Sequence, residues 1–197
     1  MADTAEPEKR TSIGARRNPA TEEAILDAAE GLLREGNLAA FSIEAVARRA
    51  RAGKPTIYRW WPNKTRLLLD VYQRQKMAMD EIDTGSIESD CLAFLERLFA
   101  VWRDDTGHVF RSIFAEAQSD EAAAEALRDY TAGRRAVTGR IFERAKARGE
   151  LADTADPAIG AEIIAAYAWA RLLTGRLEVG RDELQRVVRQ MLRGVMR

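Results

Sequence analysis

The stretch GKPTIYRWWPNK, Gly53–Lys64, puts two prolines, two tryptophans, a tyrosine and three cations into twelve residues. These are groups suited to a polyanion that also carries flat bases. Ammonium, guanidinium and hydroxyl groups donate to phosphate oxygens, and Arg or Lys can reach guanine O6 and N7. A buried helix would not carry Lys54, Arg59 and Lys64 so close together, and a plain loop has no use for Ile57, Trp60 and Trp61. Between Arg48 and Lys76, nine cations face a single acid, Asp70, for a local charge of +8. The whole chain has a formal net charge of +0, so the remainder is net acidic. Such segregation suggests a polyanion-binding module joined to a different one.

Several short helices must position these groups. Thr21, followed by Glu22 and Glu23, is a good start for the first, with an apolar stripe of Ile25, Ala28, Ala29, Leu32 and Leu33 and a stop at Gly36. Ser42 predicts the cap of a second helix whose inner face is Ile43, Val46, Ala47 and Ala50. Pro55 suits the first turn of a third, beginning near Lys54. Pro62 stops that helix, and Asn63 can cap a fourth running through Leu67, Leu68, Val71 and Tyr72 towards Met79.

Ser42–Trp61 thus has the layout of a helix-turn-helix, in which the second helix enters the major groove. Ile57 and Trp61, four apart, face inward, while Lys54, Tyr58 and Arg59 fall on other faces. Ser42, Thr56, Tyr58 and Lys64 suit phosphate, Lys64 also lying where free helix N–H groups attract one. Lys54 and Arg59 are the guanine readers, and Pro55 with the Tyr58 ring can meet thymine methyls.

The segments TEEAILDAAEGLL, FSIEAVARRA and GKPTIYRWWPNKTRLLLDVY together resemble the DNA-binding domain of TetR-type transcriptional regulators, over roughly residues 18–77. The most specific part is T-I-Y-x-x-W-x-N-K-x-x-L-L. The resemblance implies a homodimer on a palindromic operator in double-stranded DNA, with a C-terminal helical domain that senses a small molecule. It matches Ser42, Thr56, Tyr58, Trp60 and Lys64 to positions that hold the DNA backbone, and Lys54, Pro55 and Tyr58 to positions that face bases. Arg59 is added from helix geometry alone. One departure is Arg51, which stands at the turn position usually held by glycine in this family and would have to adopt a positive φ.

Beyond Gly85 the apolar spacing predicts longer helices: 86–105, 108–118, one from about 120 to 148 with a bend near Gly133, 158–174 and 181–196. About nine helices and no convincing strand make an all-α fold. The expected division is a polar, mobile tail over 1–17, a DNA-binding domain over 18–78 and a sensing and dimerisation domain over 79–197. The last two helices either join two subunits, as the resemblance implies, or close the core of one. Phe99, Trp102, His108, Phe110, Phe114, Tyr130, Tyr167 and Trp169 are candidates for pocket lining, or else core filling. His108, following Gly107, suits a capping or surface role better.

One cysteine, Cys91, permits no disulfide framework within the chain. With one histidine and no H-x-x-x-H, C-x-x-C or G-x-S-x-G spacing, neither a metal site nor a hydrolytic triad is expected, and no cofactor. No apolar run is long enough for a membrane span and no secretory signal is recognisable, so a cytoplasmic location is expected. The reading is a non-enzymatic DNA-binding regulator, a repressor released by a small-molecule effector. The alternative is a helix-turn-helix global or architectural regulator without such a ligand.

Overall fold

The computed structural model describes residues 18–35, 41–75, 82–103 and 105–193. The tail and the expected helix stop at Gly36 lie outside these residues. Among them are nine helices: α1 Pro19–Arg34, α2 Ile43–Ala50, α3 Lys54–Trp60, α4 Lys64–Gln75, α5 Ile87–Arg103, α6 Asp105–Glu116, α7 Glu121–Ala147, α8 Pro157–Leu173 and α9 Arg181–Leu192. The fold is all-α, and among the described residues no helix is long and apolar enough to cross a membrane.

Local chemistry accounts for most helix ends. Ser42 caps α2 by accepting from the Ala45 N–H at 3.1 Å, and Asp120 caps α7 through the Ala123 N–H at 2.7 Å. Asp156 caps α8 in the same manner, with Pro157 in the first turn. Gly149 adopts a φ of 76° just past α7, a conformation that side chains resist.

Two expectations need correction. The first helix starts at Pro19, capped by Asn18, whose side chain accepts from the Ala20 N–H at 3.0 Å. Thr21 is therefore already inside it. The sixth helix starts at Asp105, which places His108 on an exposed helical face and leaves it no capping role. Gly107 is required there for closeness: a β-carbon at that position would lie 2.1 Å from the Trp102 carbonyl oxygen. As expected, α7 runs as one helix through Gly133.

One hydrophobic core runs from Ile25 and Val46 through Ile57, Trp61, Leu68 and Tyr72 to Phe99, Ile141, Ile164 and Val188. Helix α4 packs against α1 on one side and α6 and α7 on the other, so it joins the amino-terminal three helices to the rest. Helices α7 and α8 make the most extensive helix pair, with Gly160 of α8 seated on the Phe142 ring. A β-carbon at Gly160 would come within 2.5 Å of that ring.

Candidate nucleic-acid interface

The turn between α2 and α3 is built on a backbone that arginine rarely adopts. Arg51 has φ 52° and ψ 36°, in the left-handed region, and the Ala52 N–H closes the end of α2 by donating to the Ala47 carbonyl at 3.0 Å. Helix α3 follows directly, with Pro55 in its first turn and the Thr56 and Ile57 N–H groups both donating to the Gly53 carbonyl.

Burial divides the faces of α3. Ile57 is fully buried, and Trp61, just past the helix, is in the core with its indole N–H donating to Asp70 Oδ2 at 2.7 Å. Lys54, Pro55, Tyr58 and Arg59 are exposed, with Thr56 and Trp60 half-buried. Trp60 meets Trp61 edge-on at 5.8 Å between ring centroids, and the Arg59 guanidinium lies 5.6 Å from the Trp60 ring centre. The structure thus gathers six of the eight nominated residues on one seven-residue helix. Ser42 is half-buried at the start of α2, its hydroxyl engaged in capping, and Lys64 opens α4.

The electrostatics are more selective than a linear count of charge. Lys54 pairs with Glu44 at 3.2 Å and Lys64 with Glu116 at 3.1 Å. Arg49 pairs with Glu35, Arg66 with Asp129, and Arg74 with Glu23 and Asp27. Arg48, Arg51 and Arg59 have no carboxylate partner among the described residues, and Lys76 lies outside them. The field around α3 is therefore narrower than +8 suggests, because acids from distant segments fold back onto five of the cations. The Glu44 carboxyl is held below its ordinary range by its own backbone N–H first and by Lys54 second.

A basic, aromatic second helix after a tight turn is the arrangement that reads duplex DNA, and comparison with known proteins agrees with it. Residues 25–71 match the model of the bacterial regulatory proteins of the tetR family, and residues 81–191 match the tetracyclin repressor-like C-terminal domain. The chain is 30% identical over 186 residues to YdeS of Bacillus subtilis (strain 168), named an uncharacterized HTH-type transcriptional regulator; the match spans 92% of this chain and 93% of that one. The chain belongs to the TetR family. A second relative, the HTH-type transcriptional regulator AqdR of Rhodococcus erythropolis, is 29% identical over 68% of this chain and 65% of its own. Among solved structures, the TetR family transcription regulator SCO0332 superposes with a TM-score of 0.77 at 28% identity, over 91% of this chain and all of that one.

Beyond α4 the chain carries a larger helical part, and α4, α5, α6, α7 and α8 line a partly open cavity of about 200 Å³. Of the aromatic candidates, Trp102, Phe110, Tyr130 and Trp169 line it. Phe99, Phe114 and Tyr167 do not. Phe99 is packed behind Trp102 and against Tyr167, each at 6.3 Å, while Phe114 packs edge-on to Trp169 at 6.0 Å. Tyr167 instead lies under the guanidinium of Arg171, at 5.9 Å.

Sequence reasoning missed the charged part of the wall and two of its rings, Phe94 and Tyr72. Arg134, Arg135 and Glu162 line the cavity, and so does Tyr72, which the periodicity of α4 marks only as core. Tyr72 accepts a hydrogen bond from the Trp102 indole N–H at 2.7 Å and stacks on Phe110 at 4.8 Å. Burial pushes its hydroxyl up to about 12, so it stays protonated at neutral pH.

Proposed function

We propose that this TetR-family protein is a repressor that binds a palindromic operator as a homodimer through α8 and α9 and is released by a small-molecule effector. The observation that carries the reading is Tyr72. It is at once part of α4, which packs on α1 and holds Trp61 at the end of α3 through Asp70, and part of the cavity wall.

Helix α4 begins at Lys64, about 12 Å along the helix from Tyr72. It is tied at that end to the sensing part by three contacts: Lys64–Glu116, Arg66–Asp129 and a hydrogen bond from Asn63 Nδ2 to the Ala122 carbonyl at 3.3 Å. A ligand that favours a different setting of Tyr72 therefore favours a different setting of α3. Such a ligand shifts the population only by the difference in its affinity for the two states. On the DNA side, Lys54 and Arg59 read bases with Pro55 and Tyr58, while Ser42, Thr56, Tyr58, Trp60 and Lys64 hold the backbone.

Support for the dimer comes from α8, where Ile159, Ile163 and Leu173 are 56%, 46% and 43% exposed in the single chain. These are unusually large apolar groups to leave in water, and Met191 of α9 lines a shallow depression together with Ile163. A cavity with both apolar and charged lining favours a sensor over a ligandless architectural protein. Selection of bound fragments from random duplexes, followed by footprinting, tests the reading. The expected result is a protected inverted repeat with half-sites about one helical turn apart. Recovery of fragments with no shared repeat overturns it.

A further inference from the structure

The cavity wall has a chemical signature that narrows what enters it. Its flat surfaces are Tyr72, Phe94, Trp102, Phe110, Tyr130 and Trp169. Trp102 and Phe110 lie nearly parallel, at 20° and 6.0 Å, and Phe110 stacks on Tyr72 at 29°. The small side chains Ala161, Ala165 and Ala166 of α8 complete the wall. Flat rings and small alanines lining one cavity leave a slot suited to a planar molecule. The volume of about 200 Å³ exceeds the roughly 150 Å³ that accommodates one benzene ring, so one substituted ring or a compact fused pair fits.

The charged lining consists of Arg134 and Arg135 with the single carboxylate of Glu162, a formal +1. Glu162 is already paired with Arg135 at 3.6 Å, and both are more than half exposed, which places them at the rim. Arg134 is more covered, and its Nε atom is buried. A guanidinium has five N–H donors in a planar fork, more than one neighbour can use, and the fork matches a carboxylate.

We propose that this cavity takes a small planar aromatic molecule bearing one negative charge, with its ring in the slot lined by Phe110 and the α8 alanines and its anionic group on Arg134. The assignment rests on the sensing reading above but goes beyond it to the chemical class of the ligand. A neutral isostere gains the ring contacts and forgoes the charged hydrogen bonds. A cation meets two guanidinium groups and a carboxylate that is already engaged.

Titration calorimetry of the full chain with 1-naphthoate, 1-naphthamide and 1-naphthylmethylammonium tests this. The naphthoate is expected to bind on the order of tenfold more tightly than the amide, with the ammonium weakest. Arg134→Gln brings the naphthoate to within about twofold of the amide without moving the amide, and Arg134→Lys keeps most of the preference. Ala165→Trp fills the slot and removes binding of all three. The proposal is overturned if the amide or the ammonium binds as tightly as the naphthoate, if none of the three binds, or if the preference survives in Arg134→Gln. Operator footprinting with the same compounds separates this from the sensing reading. Tight naphthoate binding without operator release sinks the sensor and leaves the ligand class standing. Release by the ammonium and not by the naphthoate does the reverse.

Discussion

Arg51 sits in a backbone conformation that costs an L-residue about 1–2 kcal/mol, less the entropy that glycine would lose in its place. Arg51→Gly is therefore expected to raise stability, by up to about 1 kcal/mol, and Arg51→Ala is not; thermal unfolding of the two variants checks this. A few residues away, the Lys54 ammonium is partly spent on Glu44. Glu44→Gln should release it for base reading and widen the preference for the operator over a duplex changed at the pair Lys54 meets, by up to about 1–3 kcal/mol. Filter binding to the two duplexes reads the effect, and an unchanged preference would mean that Lys54 does not read a base. At this scale the inward and outward positions of α3 were legible, because a four-residue spacing decides them. The ion pairs were not, since Glu116 and Asp129 lie more than fifty residues from their partners.

Helix α6 shows where element boundaries escape local reading. Two competing starts, Asp105 and His108, are similar in sequence terms, and tertiary packing chooses the earlier one. Gly107 is what permits it, because the end of α5 crosses so closely that no side chain fits. Gly107→Ala is expected to destabilise by about 1–3 kcal/mol, seen as an earlier midpoint in denaturant with an unchanged slope. The caps at Ser42 and Asn63 could be read directly, since each bonds an N–H only three residues away. The start of α1 could not, as Asn18 and Thr21 are both competent caps and Pro19 decides between them.

At the scale of the whole molecule, the apolar surface on α8 is the feature a single chain leaves unresolved. Ile163→Glu leaves the monomer's own core intact, because the side chain is already 46% exposed, but it places a carboxylate on the proposed dimer face. Sedimentation equilibrium should show monomers. Operator affinity should then fall by about 10²–10⁴, the avidity contributed by a second reading helix. The two-part organisation was legible from the segregation of charge and from the family-like string around Tyr58. The cavity's composition was not: Tyr72, Arg134 and Glu162 meet only once α4, α7 and α8 are apposed, and in the linear sequence each looks like an ordinary core or solvent position.

The double membership of Tyr72 limits how such a protein can be retuned. If the cavity senses a ligand as proposed, a change there alters chemical selectivity and the set of α3 together, so descendants that acquire a new ligand cannot adjust that position alone. Thr131, Arg135 and Ala165 also line the cavity but belong to α7 and α8 instead of α4. Divergence in inducer preference has its freest path through those three, and an engineer wanting a biosensor with the original promoter address would randomise them first.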